Sequence, residues 1–94
     1  MSLTFEWDSR KARSNLSKHG VSFEAASTVF RDLASFTIPD PDHSLTERRH
    51  ITMGRAFNDK LLVVVHTDRG DNIRIISARH ASRRERKVYE ENVD

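Results

Sequence analysis

The chain has 94 residues, 36% hydrophobic and 32% charged, enough for a single domain spanning 1–94 and leaving little room for a nucleotide-cofactor crevice inside one subunit. Cysteine is absent, which excludes disulfide staples, thiolate zinc sites and cysteine nucleophiles. The formal charge is +2, carried by 12 Arg and 4 Lys against 14 acids, and arginine is the residue suited to bidentate phosphate contacts.

Leu3, Phe5 and Trp7 alternate with Thr4 and Glu6, the period of a half-buried strand. Asp8 is placed to N-cap a first helix running through Asn15 to Lys18, with Ala12 and Leu16 on its inner face. Gly20 stands at the helix C′ position, and Lys18 and His19 suit the negative end of the dipole. Ser22 is a second N-cap, followed by Phe23, Ala26, Val29, Phe30 and Leu33 at spacings of three and four, an amphipathic helix.

Ser35 to Ile38 reads as a short strand stopped by Pro39, and the segment from Pro39 to Ser44 reads as loop. Three strand-like runs follow: Arg48 to Phe57, Leu61 to Thr67 and Asn72 to Arg79. Short turn-forming segments separate them, which predicts an antiparallel meander of three to four strands with Leu61 to Val65 at its centre. Ser82 and Glu85 form a capping box opening a last helix, whose only apolar residues are Val88, Tyr89 and Val93. So thin a stripe predicts weak docking. The fold class is α+β: an N-terminal strand and two helices, the meander, and a C-terminal helix.

No run approaches the roughly 20 apolar residues of a membrane span. The opening residues lack the regions of a secretion signal, so a cytoplasmic protein is expected, with no membrane partner. Charge is uneven. Residues 48–94 hold 11 basic and 7 acidic side chains, and Arg74 to Lys87 holds six basic residues against Glu85. A basic half of this kind suits an anionic partner such as nucleic acid, although a solvated charged helix has the same composition.

Asp40, Asp42 and His43 are too few ligands for a calcium loop or a zinc site, so no metal is assigned. Ser77 and His80 lack a nucleophile elbow. The three glycines are too scattered for a phosphate loop, so no cofactor is assigned. What remains is chemistry needing only acids, bases and guanidinium groups, as in metal-independent RNA cleavage. Glu47, Arg49, His50 and Arg55 on one strand and Arg74, Arg79 and His80 on another offer such groups. Strict alternation puts Arg49 with Ile51, Met53 and Arg55, and His50 on the opposite face. It also puts Ser77 and Arg79 with Ile73 and Ile75, and Arg74 with Ile76, Ala78 and His80. Exposed arginines on a solvated sheet face explain the same pattern without chemistry.

Phe5-Glu6-Trp7-Asp8 with Lys11 and Asn15, then Lys18-His19-Gly20-Val21-Ser22-Phe23-Glu24, resembles the opening of the BrnT toxin family. The likeness continues through Asp42-His43, Glu47-x-Arg49, Gly54 and Leu62 to Val65, and closes with Arg74 to Arg79, Ala81 and Glu85. It implies a RelE-like ribonuclease fold and a toxin that cleaves RNA without metal and arrests translation. It also implies a BrnA-like ribbon-helix-helix antitoxin in a 2:2 complex that binds operator DNA. Carried over by position, Glu47 is the general base, and Arg49 and Arg79 bind the phosphate and transition state. His19 or His43 is the acid, although His19 reads equally well as part of a helix C-cap. Lys18, Arg74, Arg83, Arg84 and Arg86 are the further RNA contacts, the last three matching only as a basic helix. His80 stands where relatives carry Arg or Lys. A non-catalytic nucleic-acid- or ribosome-binding module using the same arginines is the competing expectation.

Overall fold

The computed structural model describes residues 3–41 and 48–93. Its elements are β1 (Thr4–Glu6), α1 (Ser9–His19), α2 (Phe23–Thr28), β2 (Phe36–Pro39), β3 (Arg49–Arg55), β4 (Leu61–Arg69), β5 (Asn72–His80) and α3 (Arg83–Val93). The α+β class holds. The sheet, however, has five strands in the order β1-β5-β4-β3-β2, because β1 adds itself to the meander. It pairs parallel to β5, with Phe5 beside Ile73 and Glu6 beside Arg74. The other neighbours are antiparallel. Central β4 is buried on both faces over most of its length, as its unbroken apolar run requires.

The helix ends follow the sequence. Asp8 accepts from the amides of Arg10 (2.8 Å) and Lys11 (3.2 Å), and Gly20 ends α1 at φ +70°, a conformation that costs a side-chain-bearing residue energy. Ser22 accepts from the amide of Ala25 at 3.0 Å. The inner face of α1 is different from the one expected. Leu16 is exposed and Asn15 is buried. The Asn15 amide donates to the carbonyls of Val21 (2.9 Å) and Ala78 (2.8 Å) and accepts from the Ala78 amide (3.1 Å). Those backbone groups would otherwise lose hydrogen bonds on burial. α2 is also shorter than its periodicity predicts: it passes into a 3-10 turn at Val29–Arg31, leaving Leu33 exposed. Gly54 makes room for that turn. A Cβ there would stand 2.8 Å from Ser35 Cβ and 2.9 Å from Val29 Cγ1.

The face assignment of β5 departs from strict alternation. β4 and β5 stay in register from Leu62↔His80 to Val65↔Ser77, then resume at His66↔Ile75. Ile76 is the unpaired extra residue of a β-bulge, and a bulge reverses the inside–outside parity beyond it. Ile75 and Ala78 therefore both enter the core under α1 and α2, with Val21, Phe23, Ala26, Val29, Leu62 and Val64. Arg74 crosses to the face that carries Arg79, correcting the expectation that the two point apart.

On that second face Met53, Leu61, Val63 and Tyr89 form a smaller core. Of the three apolar residues of α3, Tyr89 is 3% exposed while Val88 and Val93 stay largely exposed. The helix is nevertheless firmly held. Tyr89 Oη donates to Asp32 Oδ2 at 2.5 Å, and the Arg55 guanidinium lies over the ring at 5.5 Å. Asp32 also accepts from the amides of Arg55 (2.8 Å) and Ala34 (2.9 Å). The thin stripe is thus supplemented by a partly buried hydrogen bond to a charge, which apolar periodicity does not reveal. Burial, then the bond to Asp32 and its charge, push the Tyr89 hydroxyl up to about 12. A raised folded-state pKa means stability is intact below pH 10 and is lost as pH climbs towards 12, where the unfolded chain ionises first. Tyr89→Phe should cost about 2 kcal/mol at pH 7, a gap that narrows between pH 10 and 12. Tyr89 is the only tyrosine, so its ultraviolet titration follows this group alone; an ordinary midpoint near 10 would contradict the bond to Asp32.

Candidate nucleic-acid interface

The face beneath α3 is laid out by cross-strand pairing along β4. Arg49 and Arg74 flank Thr67, Ser77 and Ile51 flank Val65, and Met53 and Arg79 flank Val63. Thr67 and Val63 are four residues apart, about 13 Å along the strand. Two strand spacings add roughly 10 Å across, so the Cα atoms of Arg49 and Arg79 lie about 16 Å apart. The sheet carries cationic groups at both ends of an apolar middle, where a groove of about 280 Å³ is lined by Phe36, Ile38, Ile51, Met53, Arg79 and Val88.

Each of these guanidinium groups has a carboxylate or other partner. Arg74 donates to Glu6 Oε2 at 2.9 Å, and Asn72 donates to Oε1 at 3.1 Å. The Asn72 and Arg74 bonds together hold Glu6 below the ordinary carboxylate range. Arg79 makes a bidentate pair with Glu85, at 2.7 and 2.8 Å. Glu85 also accepts from the Ser82 amide (2.8 Å), while Ser82 Oγ accepts from the Glu85 amide (3.2 Å). The capping box is therefore present, and the same carboxylate holds a candidate catalytic arginine. Arg49 is engaged as well.

The other site candidates are distributed unevenly. Glu47 and His43 lie outside the described residues, as does Asp42. Lys18 and His19 end α1 and line a shallow depression with Ser14, Asn15, Ile76 and Ser77. Arg83, Arg84 and Arg86 are exposed on α3, and Arg84 reaches the apolar groove. Ser77 and His80 belong to opposite faces by their pairing with Val65 and Leu62, which removes them as a catalytic pair.

A polar cluster on the helical face escaped the sequence reading. His50 and His66 pair across β3 and β4, with ring centroids 5.8 Å apart, and the Phe30 ring stands edge-on to His66 at 5.0 Å. Burial drives the His66 pKa down to about 4, outweighing the Asp68 charge, which raises it. Only the cross-strand register brings the two imidazoles together; their spacing of 16 residues in sequence carries no metal or catalytic signature.

A mixed five-stranded sheet with a helical layer on one face and arginines under a lone helix on the other defines an α+β domain with a cationic, partly apolar sheet surface. The family described as ribonuclease toxin, BrnT, of type II toxin-antitoxin system matches over residues 7–85. Among solved structures the chain is similar to the Brucella abortus ribonuclease toxin BrnT, seen in a 1.1 Å crystal structure. The TM-score is 0.67 at 22% sequence identity, covering 87% of this chain and 100% of that one. No curated protein matches. The chain belongs to the BrnT family of ribonuclease toxins of type II toxin–antitoxin systems, and membership implies an RNA substrate and an antitoxin partner.

The Arg79–Glu85 pair has a measurable acid signature. Arg79, with the Ser82 amide assisting against partial burial, holds the Glu85 carboxyl down to about 2. A lowered carboxyl pKa contributes stability that is present above pH 4.5 and lost as pH falls through 2. Allowing for solvent screening of a partly exposed pair, the contribution is on the order of 1 kcal/mol. Glu85→Gln should be less stable by about that amount in urea melts at pH 7, and the gap should close between pH 4.5 and 2. A gap that is constant over this range would place the variant's effect in the helix cap alone.

Proposed function

We propose that the arginine face binds RNA and cleaves it without a metal ion, by attack of the ribose 2′-oxygen on the adjacent phosphorus. The observation that carries this reading is the shared face of Arg49, Arg74 and Arg79, onto which the bulge at Ile76 brings Arg74. Glu47, two residues before Arg49, takes the 2′-hydroxyl proton. The new O2′–P bond forms as the P–O5′ bond breaks, and an acid protonates the departing 5′-oxygen. Arg49 and Arg79 hold the non-bridging oxygens as charge accumulates on them. His19 and His43 are the two candidates for the acid. Lys18, at the end of α1, and Arg83, Arg84 and Arg86 on α3 extend the contact with the RNA chain.

The products are a 2′,3′-cyclic phosphate and a 5′-hydroxyl, formed equally well in EDTA. End-mapping of cleaved RNA tests this, and 5′-phosphate ends would exclude 2′-oxygen attack. Arg79→Ala should lower turnover about 100-fold or more while RNA binding, measured separately, falls much less. Parallel losses of both, with no cleavage by the parent chain, would support the non-catalytic binding module instead. Rates at subsaturating RNA should drop as salt is raised, because guanidinium–phosphate contacts release counterions.

The antitoxin we infer is a BrnA-like ribbon-helix-helix protein, dimeric and therefore able to hold two toxins in a 2:2 complex that binds operator DNA. The apolar groove beside Arg79 and Arg84, continued by the exposed arginines of α3, suits an acidic amphipathic segment. Since Tyr89 anchors α3, the antitoxin covers the helix and does not displace it. Hydrogen exchange should show protection gained across residues 79–93 on complex formation, and unchanged exchange there would refute this placement. The action is cytoplasmic, where translation takes place, and among the described residues no helix is long and apolar enough to cross a membrane.

A further inference from the structure

We propose that His50, His66 and Asp68 form a binding site for a borderline divalent transition-metal ion of the zinc class, on the sheet face opposite the arginines. Their ligand atoms all lie within 4.8 Å of one another. The register explains the convergence: His66 and Asp68 are two apart on β4 and so share a face, and His50 is the cross-strand partner of His66 on that face. His66 is 4% exposed. The Nδ1 atoms of both histidines are buried and have no hydrogen-bond partner, and His66 Nδ1 stands 3.8 Å from Asp68 Oδ1, too far for a hydrogen bond.

A buried imidazole nitrogen without a partner costs free energy unless something else satisfies it. The opposite edge of His66 shows what that is. Its Nε2 lies 2.7 Å from Thr52 Oγ1, which lies 2.7 Å from Thr37 Oγ1. With Nε2–H donating to Thr52 and Thr52 donating to Thr37, Nδ1 is left as a lone pair facing Asp68 and His50. A hydrogen bond on the far nitrogen is the usual way a metal-ligating histidine is oriented and its tautomer fixed. Two imidazoles and one carboxylate suit zinc with a water completing a tetrahedron, whereas magnesium and calcium require sites made mainly of oxygen. Ligands about 2.1 Å from a tetrahedral zinc are about 3.4 Å from each other. Asp68, whose side chain is 64% exposed, can close most of the difference and also gives the ion a path from solvent.

Such an ion would be structural. It would tie β3 to β4 beside Arg49, on the side of the sheet that the RNA chemistry does not use. The proposal is therefore independent of the cleavage mechanism.

The test uses the full chain stripped with EDTA and then dialysed free of it. Titration with zinc(II) should give saturable one-to-one binding and a raised melting temperature, with no such response to magnesium(II). Cobalt(II) in its place should give visible d–d absorption of a low-coordinate site. Asp68→Asn, a change at an exposed position, should weaken zinc(II) binding at least tenfold with its metal-free melting temperature unchanged, and His50→Gln should weaken it further. Absence of one-to-one uptake at micromolar zinc(II) would overturn the proposal. So would binding that both variants retain at full strength, since the ion would then sit on other histidines.

Discussion

One unpaired residue in β5 decides what each face of this sheet can be. Ile76 has no partner on β4, and the parity it reverses lets Ile75 and Ala78 both enter the helical core. The same step sends Arg74 and Arg79 together to the other face. With strict alternation one face would have to bury a guanidinium or expose a core isoleucine. Core and cationic surface are thus set by a single local irregularity, and β1 is fixed by it too, since Glu6 meets Arg74 only on the face that the bulge assigns.

A domain this small has little apolar area with which to hold a helix on each side of a sheet. Side chains that satisfy backbone groups at the seams compensate. Asn15 joins α1 to β5 through three hydrogen bonds. Asp32 sits where the 3-10 turn meets the edge of β3 and accepts from both Arg55 and Tyr89, so it links the helical layer to α3. These ties are polar and directional, and they fix orientation more sharply than a narrow apolar stripe can.

The elements with short-range determinants were legible in the sequence. Asp8, Gly20, Ser22 and the Ser82–Glu85 box act through residues at most four positions away, and each performs the capping its position implies. The central strand announced itself by its apolar run. Features set by long-range pairing were hidden. The bulge depends on how β4 and β5 align, and β1 finds a parallel partner 68 residues away in Arg74. Two of the three bonds that hold Asn15 inward come from the carbonyl and amide of Ala78, 63 residues away. For the site, the arginines were visible as types, but their common face was not, and His50 was read only as an acid–base group beside Arg49 because its pairing with His66 is set by the β3–β4 register.

Arg79 carries its own counter-ion. An unpaired cation on a protein surface is screened by mobile counter-ions and solvated by water, but this one is held by Glu85 in a two-point pair. A phosphate arriving at Arg79 exchanges one anion for another, and the carboxylate it displaces remains tethered a few ångströms away. That exchange is thermodynamically closer to substitution at a saturated centre than to simple neutralisation. Arg79 therefore adds less to long-range attraction than an unpaired arginine would. Its discrimination rests on whether a ligand's oxygens match the guanidinium fork better than a carboxylate does.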